Sequence, residues 1–202
     1  ALPLRCKKKR DESAFRRAQG ILVRLTELAR QGLCRLLFFD ESGFSPNPPI
    51  TYGWAPRGQV HAMEPQPHRQ RVNVLGALDQ NHTLVWSAVE RPTRQEDVIA
   101  FFDRLSTQVG TLPHIVVLDN AGIHRSNAVE RCRRRWARQG LGLFFLPPYS
   151  PELNRIEILW KHAKHYWRRP IGLTGAALRE EVESLMRGFG TRFTIKFAQV
   201  VR

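Results

Sequence analysis

Two apolar runs, Leu36-Leu37-Phe38-Phe39 and Ile115-Val116-Val117-Leu118, each end on an aspartate, Asp40 and Asp119. A strand that is apolar at successive rather than alternate positions must be covered on both faces. Such strands belong at the centre of a sheet with helices above and below it. In open sheets of this kind, functional side chains stand beyond the carboxyl ends of parallel strands. If the two runs are neighbours, Asp40 and Asp119 face one cleft.

The remaining pattern fits that frame. Residues 11–31 read as a helix with Ala18, Leu22, Leu25 and Ala29 on one stripe. Residues 71–79 and 83–90 read as strands of a hairpin turning across Gln80-Asn81-His82, and Tyr52 to Trp54 as a short strand. A Thr93-x-x-Glu96 capping box opens a helix burying Val98, Phe101, Phe102, Leu105 and Val109. Strand 114–119 follows, then a helix from Ser126 to about Gln139 stopped by Gly140, then strand 141–146. Pro151 stands at the first position of the next helix, and Thr174 caps a last helix carrying Leu178, Val182 and Leu185. The expected class is α/β, with one mixed central sheet and helices on both faces.

Glu157 is the third candidate acid. Its helix is expected to bury Leu153, Ile156, Trp160, Ala163 and Trp167, with Trp160 as core. At 100° per residue, Glu157 lies about 40–60° from Leu153 and Trp160, flanking the buried stripe. Glu152 lies about 140° away and needs no role beyond favouring the positive helix end. Glu41 points to the face opposite Asp40. Three converging carboxylates repel one another unless cations neutralise them. Hard oxygen donors suit Mg²⁺ or Mn²⁺, and two such ions can activate one oxygen and stabilise another in a displacement at phosphorus.

Composition narrows the partner. Lys+Arg 32 against Asp+Glu 18 gives a net charge of +14, which favours nucleic acid. No apolar run approaches the roughly 20 residues of a membrane span, and no secretory signal is present, so a cytoplasmic protein is expected. Cys6, Cys34 and Cys132 are too dispersed for a zinc site, and the last two are expected to be buried thiols. Arg131, Arg133, Arg134, Arg135 and Arg138 crowd a helix whose apolar face is Val129, Cys132 and Trp136. They form either a solvated face or a DNA-backbone contact. Lys161, Lys164, Arg168 and Arg169 continue beyond Glu157, and Arg57 lies in the insertion after the first strand; these are further candidates for DNA contact.

Four segments carry a family resemblance. They are Phe39-Asp40-Glu41-Ser42, Gly53-Trp54-x-Pro56-x-Gly58, Leu118-Asp119-Asn120-x-x-x-His124, and Leu146-Pro147-x-Tyr149-Ser150-Pro151-x-Leu153-Asn154-x-Ile156-Glu157-x-x-Trp160. Over roughly residues 34–170 the chain resembles the catalytic domain of DDE transposases, in the bacterial insertion-sequence branch of the mariner superfamily. The resemblance implies a ribonuclease H-like fold and a triad of Asp40, Asp119 and Glu157 binding two divalent ions, Mg²⁺ or Mn²⁺. It implies cleavage of double-stranded DNA at transposon ends and strand transfer into target DNA, by a homodimer associated with the bacterial nucleoid.

Asn120 and His124 then orient phosphate or a metal-bound water, or serve turn and helix-start packing. Asn154 is expected to hold the active-site helix to its loop. Arg155 stands where the family usually has proline, at a position expected to face away from the core. The chain divides into a basic linker and helix (1–33), a catalytic domain (34–170) and a helical extension (171–202). It reads as a catalytic portion without the helix-turn-helix that selects DNA ends. Two other readings remain open, a structure-selective nuclease on the same fold and a non-catalytic DNA-binding remnant.

Overall fold

The computed structural model describes residues 10–46, 71–166 and 175–195. The order is α1 (Glu12–Arg30), β1 (Arg35–Phe44), β2 (Val72–Asp79), β3 (Leu84–Val89), α2 (Gln95–Thr107), β4 (His114–Leu118), α3 (Asn127–Arg138), β5 (Leu141–Phe145), α4 (Ile156–Tyr166) and α5 (Gly175–Arg187). Short 3₁₀ turns, Gly122–Arg125 and Pro151–Leu153, precede α3 and α4. The strands form one 5-stranded sheet in the order β3-β2-β1-β4-β5. β2 runs antiparallel to both of its neighbours, β1 and β3, while β4 and β5 run parallel to β1.

Strand alternation splits the core into two layers. Leu36, Phe38, Val74, Leu78 and Val117 face α1, α4 and α5, where they meet Leu22, Ile156, Trp160, Leu178 and Val182. Leu37, Phe39, Leu75, Ala77, Val116 and Leu118 face α2 and α3, where they meet Phe101, Phe102, Leu105, Val129 and Trp136. The doubly apolar runs are therefore central strands covered on both sides, as their composition requires. Trp160 is core, 2% exposed. It lies directly over Gly76 of β2, where a Cβ would fall 2.8 Å from its ring. That glycine sets how closely α4 approaches the sheet.

Several local expectations shift. The helix at Thr93 starts one residue later: Arg94 is the N-cap, and its N–H donates to Asp97 Oδ2 at 2.8 Å. Asp97, gripped by Arg91 at 2.6 and 2.7 Å, is already oriented for that role, whereas Glu96 points to solvent. Pro151 opens a 3₁₀ turn rather than α4, which begins at Ile156. Cys34 is buried but Cys132 only half so, on the flank of α3. The Tyr52–Trp54 strand, Arg57, Trp167, Arg168 and the Thr174 cap lie outside the described residues. No described helix is long and apolar enough to cross a membrane.

Candidate active site

The hydrogen-bonded pairing of β1 with β4 ends at Phe38 opposite Val117. Asp40 and Asp119 each lie two residues further on, level with one another, on the α4 side of the sheet. Asp40 does not close its strand, contrary to expectation. β1 continues to Phe44 because β2 still pairs with it, from Asp40 opposite Gly76 to Phe44 opposite Val72. What ends at this level is the parallel contact. β4 turns away and a cleft opens between the two strands.

Glu157 enters the cleft from the first turn of α4. Because Leu153 and Glu152 belong to the preceding 3₁₀ turn, the angular argument from a continuous helix does not place it. A staple does. Asn154, 3% exposed, donates from Nδ2 to the carbonyl of Phe39 at 2.9 Å, and its own carbonyl accepts the Glu157 N–H at 3.1 Å. The start of α4 is thereby tied to β1 one residue before Asp40, to the strand rather than to the loop. The cleft, of about 390 Å³, is lined by Asp40, Asp119, Asn120, Tyr149, Asn154 and Glu157 together with Pro147, Pro148 and Pro151.

Behind Asp119 stands His124, 2% exposed, on the 3₁₀ turn between β4 and α3. Its Nδ1 lies 2.6 Å from Asp119 Oδ1 and its Nε2 3.3 Å from Glu41 Oε1. The Phe39 ring meets the imidazole edge-on, with centroids 5.4 Å apart. A carboxylate at each nitrogen favours the imidazolium form, in which both nitrogens donate. Burial works against that charge, but the two carboxylates outweigh it and lift the His124 pKa to about 9. Burial also works against ionisation of Asp119 and Glu41. Hydrogen bonds from His124, joined by Thr93 at Glu41 and by the Ala121 N–H at Asp119, outweigh it and hold both carboxyls below their ordinary range.

Asp40 behaves oppositely. Burial, the largest cause, raises its pKa to about 7; a backbone N–H from Glu41 opposes the shift, and the charges of Glu157 and Asp119 add to it. Burial also raises Glu157, with Lys164 opposing and Asp119 adding. Burial and the mutual repulsion of the cleft carboxylates thus both act against ionisation of Asp40 and Glu157.

Sequence reasoning placed Glu41 on the opposite face and gave it no role. The face is right, but Glu41 reaches the site through His124, across 83 residues of chain. Asn120 Oδ1 accepts from Arg125 at 3.0 Å, bracing the 3₁₀ turn. Arg155 does not face away from the core: it is half-buried with its guanidinium 5.5 Å from the Phe38 ring centroid, and burial lowers its pKa. On α3, Arg131 and Arg134 are exposed, while Arg135 pairs with Asp103. Lys161 and Lys164 are exposed on α4. α3 and α4 cover opposite faces of the sheet, so these two basic groups do not form one stripe.

The donor set can be tested against the implied metal. All three cleft carboxylates are hard oxygen donors, as Mg²⁺ and Mn²⁺ prefer. His124 takes one oxygen of Asp119 and leaves Oδ2 for a cation. Burial chiefly raises the Asp40 pKa, and the nearby charges of Glu157 and Asp119 add to it; a bound cation would favour its ionised form against both. Among the described residues, no group of three or more His, Cys, Asp or Glu side chains is drawn together tightly enough to form a closed metal cage. The residues fit the metal by chemistry and shared cleft, in an open arrangement.

A mixed sheet in this order, layered by helices on both faces, with acidic side chains where two parallel strands part, is a ribonuclease H-like fold. Residues 35–173 match the family described as DDE superfamily endonuclease, and the chain belongs to that family. Solved structures agree on the fold. The catalytic domain of Mos1 mariner transposase aligns with a TM-score of 0.62 at 14% identity, covering 91% of this chain and 84% of that one. The Mos1 paired-end complex with Mn gives 0.63 at 15% identity, covering 93% of this chain and 59% of that one. A simian T-cell lymphotropic virus intasome in complex with PP2A regulatory subunit B56 gamma gives 0.52 at 12%, covering 83% and 53%. The chain spans 57% of the protein in the Mos1 strand transfer complex. A search of curated protein sequences returns no match.

Proposed function

We propose that this chain is the catalytic part of a transposase that cuts double-stranded DNA and joins the freed end to target DNA, using divalent metal. The observation that carries the reading is the placement of Asp40 and Asp119, level on adjacent parallel strands, with Glu157 stapled opposite them in one cleft. The net charge of +14 suits a polyanionic substrate.

In this reading Asp40, Asp119 and Glu157 hold Mg²⁺ or Mn²⁺, two ions for three carboxylates. The Mos1 paired-end complexes with Mn and with Mg support that choice. When bound, such ions activate the attacking oxygen and stabilise the leaving one. His124 fixes the rotamer of Asp119 and keeps it ionised; Glu41 fixes His124. Asn154 sets the distance of Glu157 from the strands. Arg131, Arg134 and Arg135 on α3, and Lys161 and Lys164 on α4, contact DNA backbone, and Arg168 and Arg57, outside the described residues, are further candidates for that contact. A homodimer brings two ends together. Residues 34–170 form the catalytic domain, with α1 and α5 packed against it as flanks.

The test is nicking of supercoiled plasmid with Mg²⁺ or Mn²⁺, followed by joining of a duplex with a pre-cleaved 3′-hydroxyl end. Nicking abolished by Asp119→Asn, together with joined products, supports the proposal. Cleavage without joining favours a structure-selective nuclease. Absence of cleavage, with no Mn²⁺ site lost in Asp119→Asn, identifies a non-catalytic DNA-binding chain.

A further inference from the structure

Arg125 closes the 3₁₀ turn between β4 and α3, and bracing that turn occupies little of its side chain. Its Nη1 donates to Asn120 Oδ1 at 3.0 Å, and the carbon of its guanidinium lies 5.3 Å from the centroid of the Phe145 ring. A guanidinium is a planar fork of several N–H donors. Among the described residues, the remaining donors of Arg125 meet no acceptor and no carboxylate pairs with it, although the residue is exposed. Other arginines beside strands and helices are paired: Arg35 with Asp79, Arg91 with Asp97, Arg135 with Asp103.

The two anchors place the group. Phe145 ends β5 and pairs with Leu118, the residue before Asp119. Its ring packs with the layer that faces α2 and α3. Asn120 follows Asp119 in the chain and lines the carboxylate cleft. Arg125 therefore reaches across the carboxyl ends of β4 and β5, from the cleft wall to the α3 layer. The guanidinium of Arg133 lies 5.4 Å from the same ring. Glu130 offsets that charge, accepting from Arg133 at 2.9 Å, whereas no carboxylate offsets Arg125. Two cations held on one ring repel each other, and an anion seated at Arg125 would relieve that repulsion.

The anion that fits is a phosphate. A guanidinium fixed by an aromatic face and one hydrogen bond has already lost its side-chain freedom. Its open N–H edge matches two phosphate oxygens. The position suits a DNA backbone. Arg125 stands at the strand ends, between the cleft and the start of the helix that carries the exposed Arg131 and Arg134.

The geometry points to Arg125 as a preset phosphate clamp at the rim of the cleft. It holds a backbone phosphate outside the metal-binding carboxylates, where the DNA strand leaves the cleft toward α3. Phe145 and Asn120 are positioning residues that aim it. This rests on the DNA-cleaving reading of the site given above.

The test is fluorescence anisotropy of a labelled DNA duplex with the full chain, titrated with salt in chelator so that the DNA stays uncut. Arg125→Gln is expected to lower affinity severalfold at low salt. It should also reduce the slope of log affinity against log salt by about 1, the mark of one lost phosphate contact. Phe145→Leu keeps the charge but frees the guanidinium, so its affinity should fall with the slope nearly unchanged. A turn brace alone would lower the thermal midpoint of Arg125→Gln and leave its slope at the wild-type value. Equal slopes in the wild type and Arg125→Gln overturn the clamp, whatever their midpoints. Should Arg125→Gln not fold, Arg125→Lys carries the test: its ammonium cannot form the fork, and wild-type affinity in that variant overturns the clamp. Plasmid nicking by the wild-type protein in Mg²⁺ is read separately. Nicking with an unreduced slope in Arg125→Gln sinks this inference alone; a reduced slope without nicking sinks the nuclease reading and leaves the phosphate contact standing.

Discussion

The imidazole of His124 joins two carboxylates that lie on opposite faces of the sheet: Asp119 at 2.6 Å on the cleft side and Glu41 at 3.3 Å on the other. The bridge is possible because the 3₁₀ turn after β4 carries His124 around the strand ends, where Phe39 packs against its edge. A buried cation between two anions fixes both the position and the ionisation of Asp119. It does so without filling the cleft.

Glu41→Gln should therefore weaken the site without touching it. The amide can accept from Nε2–H but supplies no charge, so His124 holds Asp119 less firmly. Partners of metal-binding side chains typically contribute about 10–100-fold in affinity or activity. Mn²⁺ titration calorimetry of Glu41→Gln should show weaker binding, with plasmid nicking reduced in step. Unchanged Mn²⁺ affinity would show that Glu41 serves packing alone.

Much of this site was legible in the chain. Two runs apolar at successive positions could only be central strands, and their terminal aspartates had to meet if the strands paired. The acid on the following helix was selected by its angle and then by a long motif; the angle does not place it in the structure, because the helix begins at Ile156 and the angle assumed an earlier start. Glu41 was not legible. Strand alternation assigned it to the far face correctly, and nothing local reveals that a histidine 83 residues away reaches around to meet it. Arg155 was misplaced for a related reason. Its position on an assumed continuous helix faces outward, whereas the 3₁₀ turn rotates it toward Phe38.

pH should move the stability of the metal-free protein in one direction. Asp40, raised to about 7, favours its protonated form in the folded state, so its contribution is lost as pH rises from about 4 to 7. His124, raised to about 9, contributes fully below its unfolded value near 6.5 and loses that contribution as pH rises through 9. Thermal melts in chelator should fall steadily across this range. Added Mg²⁺ should flatten the fall up to about pH 7, because a cation favours ionised Asp40. A metal-free melting temperature that rises with pH over this window contradicts the assignment.

Asn154→Ala removes the staple between α4 and β1. The Phe39 carbonyl is then left buried without that donor, a loss of about 1–3 kcal/mol. Urea denaturation should register it. Because the staple also sets where Glu157 stands, nicking should fall by more than the folded fraction accounts for. An activity loss matched by the unfolded fraction would confine Asn154 to stability.

Gly76→Val tests how α4 is seated. The new Cβ would fall 2.8 Å from the Trp160 ring and 3.2 Å from the end of Ile156, so helix and sheet must separate or the ring must turn. Overpacking of this kind costs about 1–3 kcal/mol. The effect reaches the site because Ile156 and Trp160 lie on the same helix as Glu157. A shift of that helix moves the carboxylate relative to Asp40, which pairs with Gly76 across β1 and β2. Trp160→Leu in the same chain frees the space and should recover part of the lost stability, making the pair non-additive. Chemical denaturation of both single variants and the double variant measures the coupling. Simple additivity would mean that the ring does not rest on the glycine, and that something else fixes the height of α4 above the sheet.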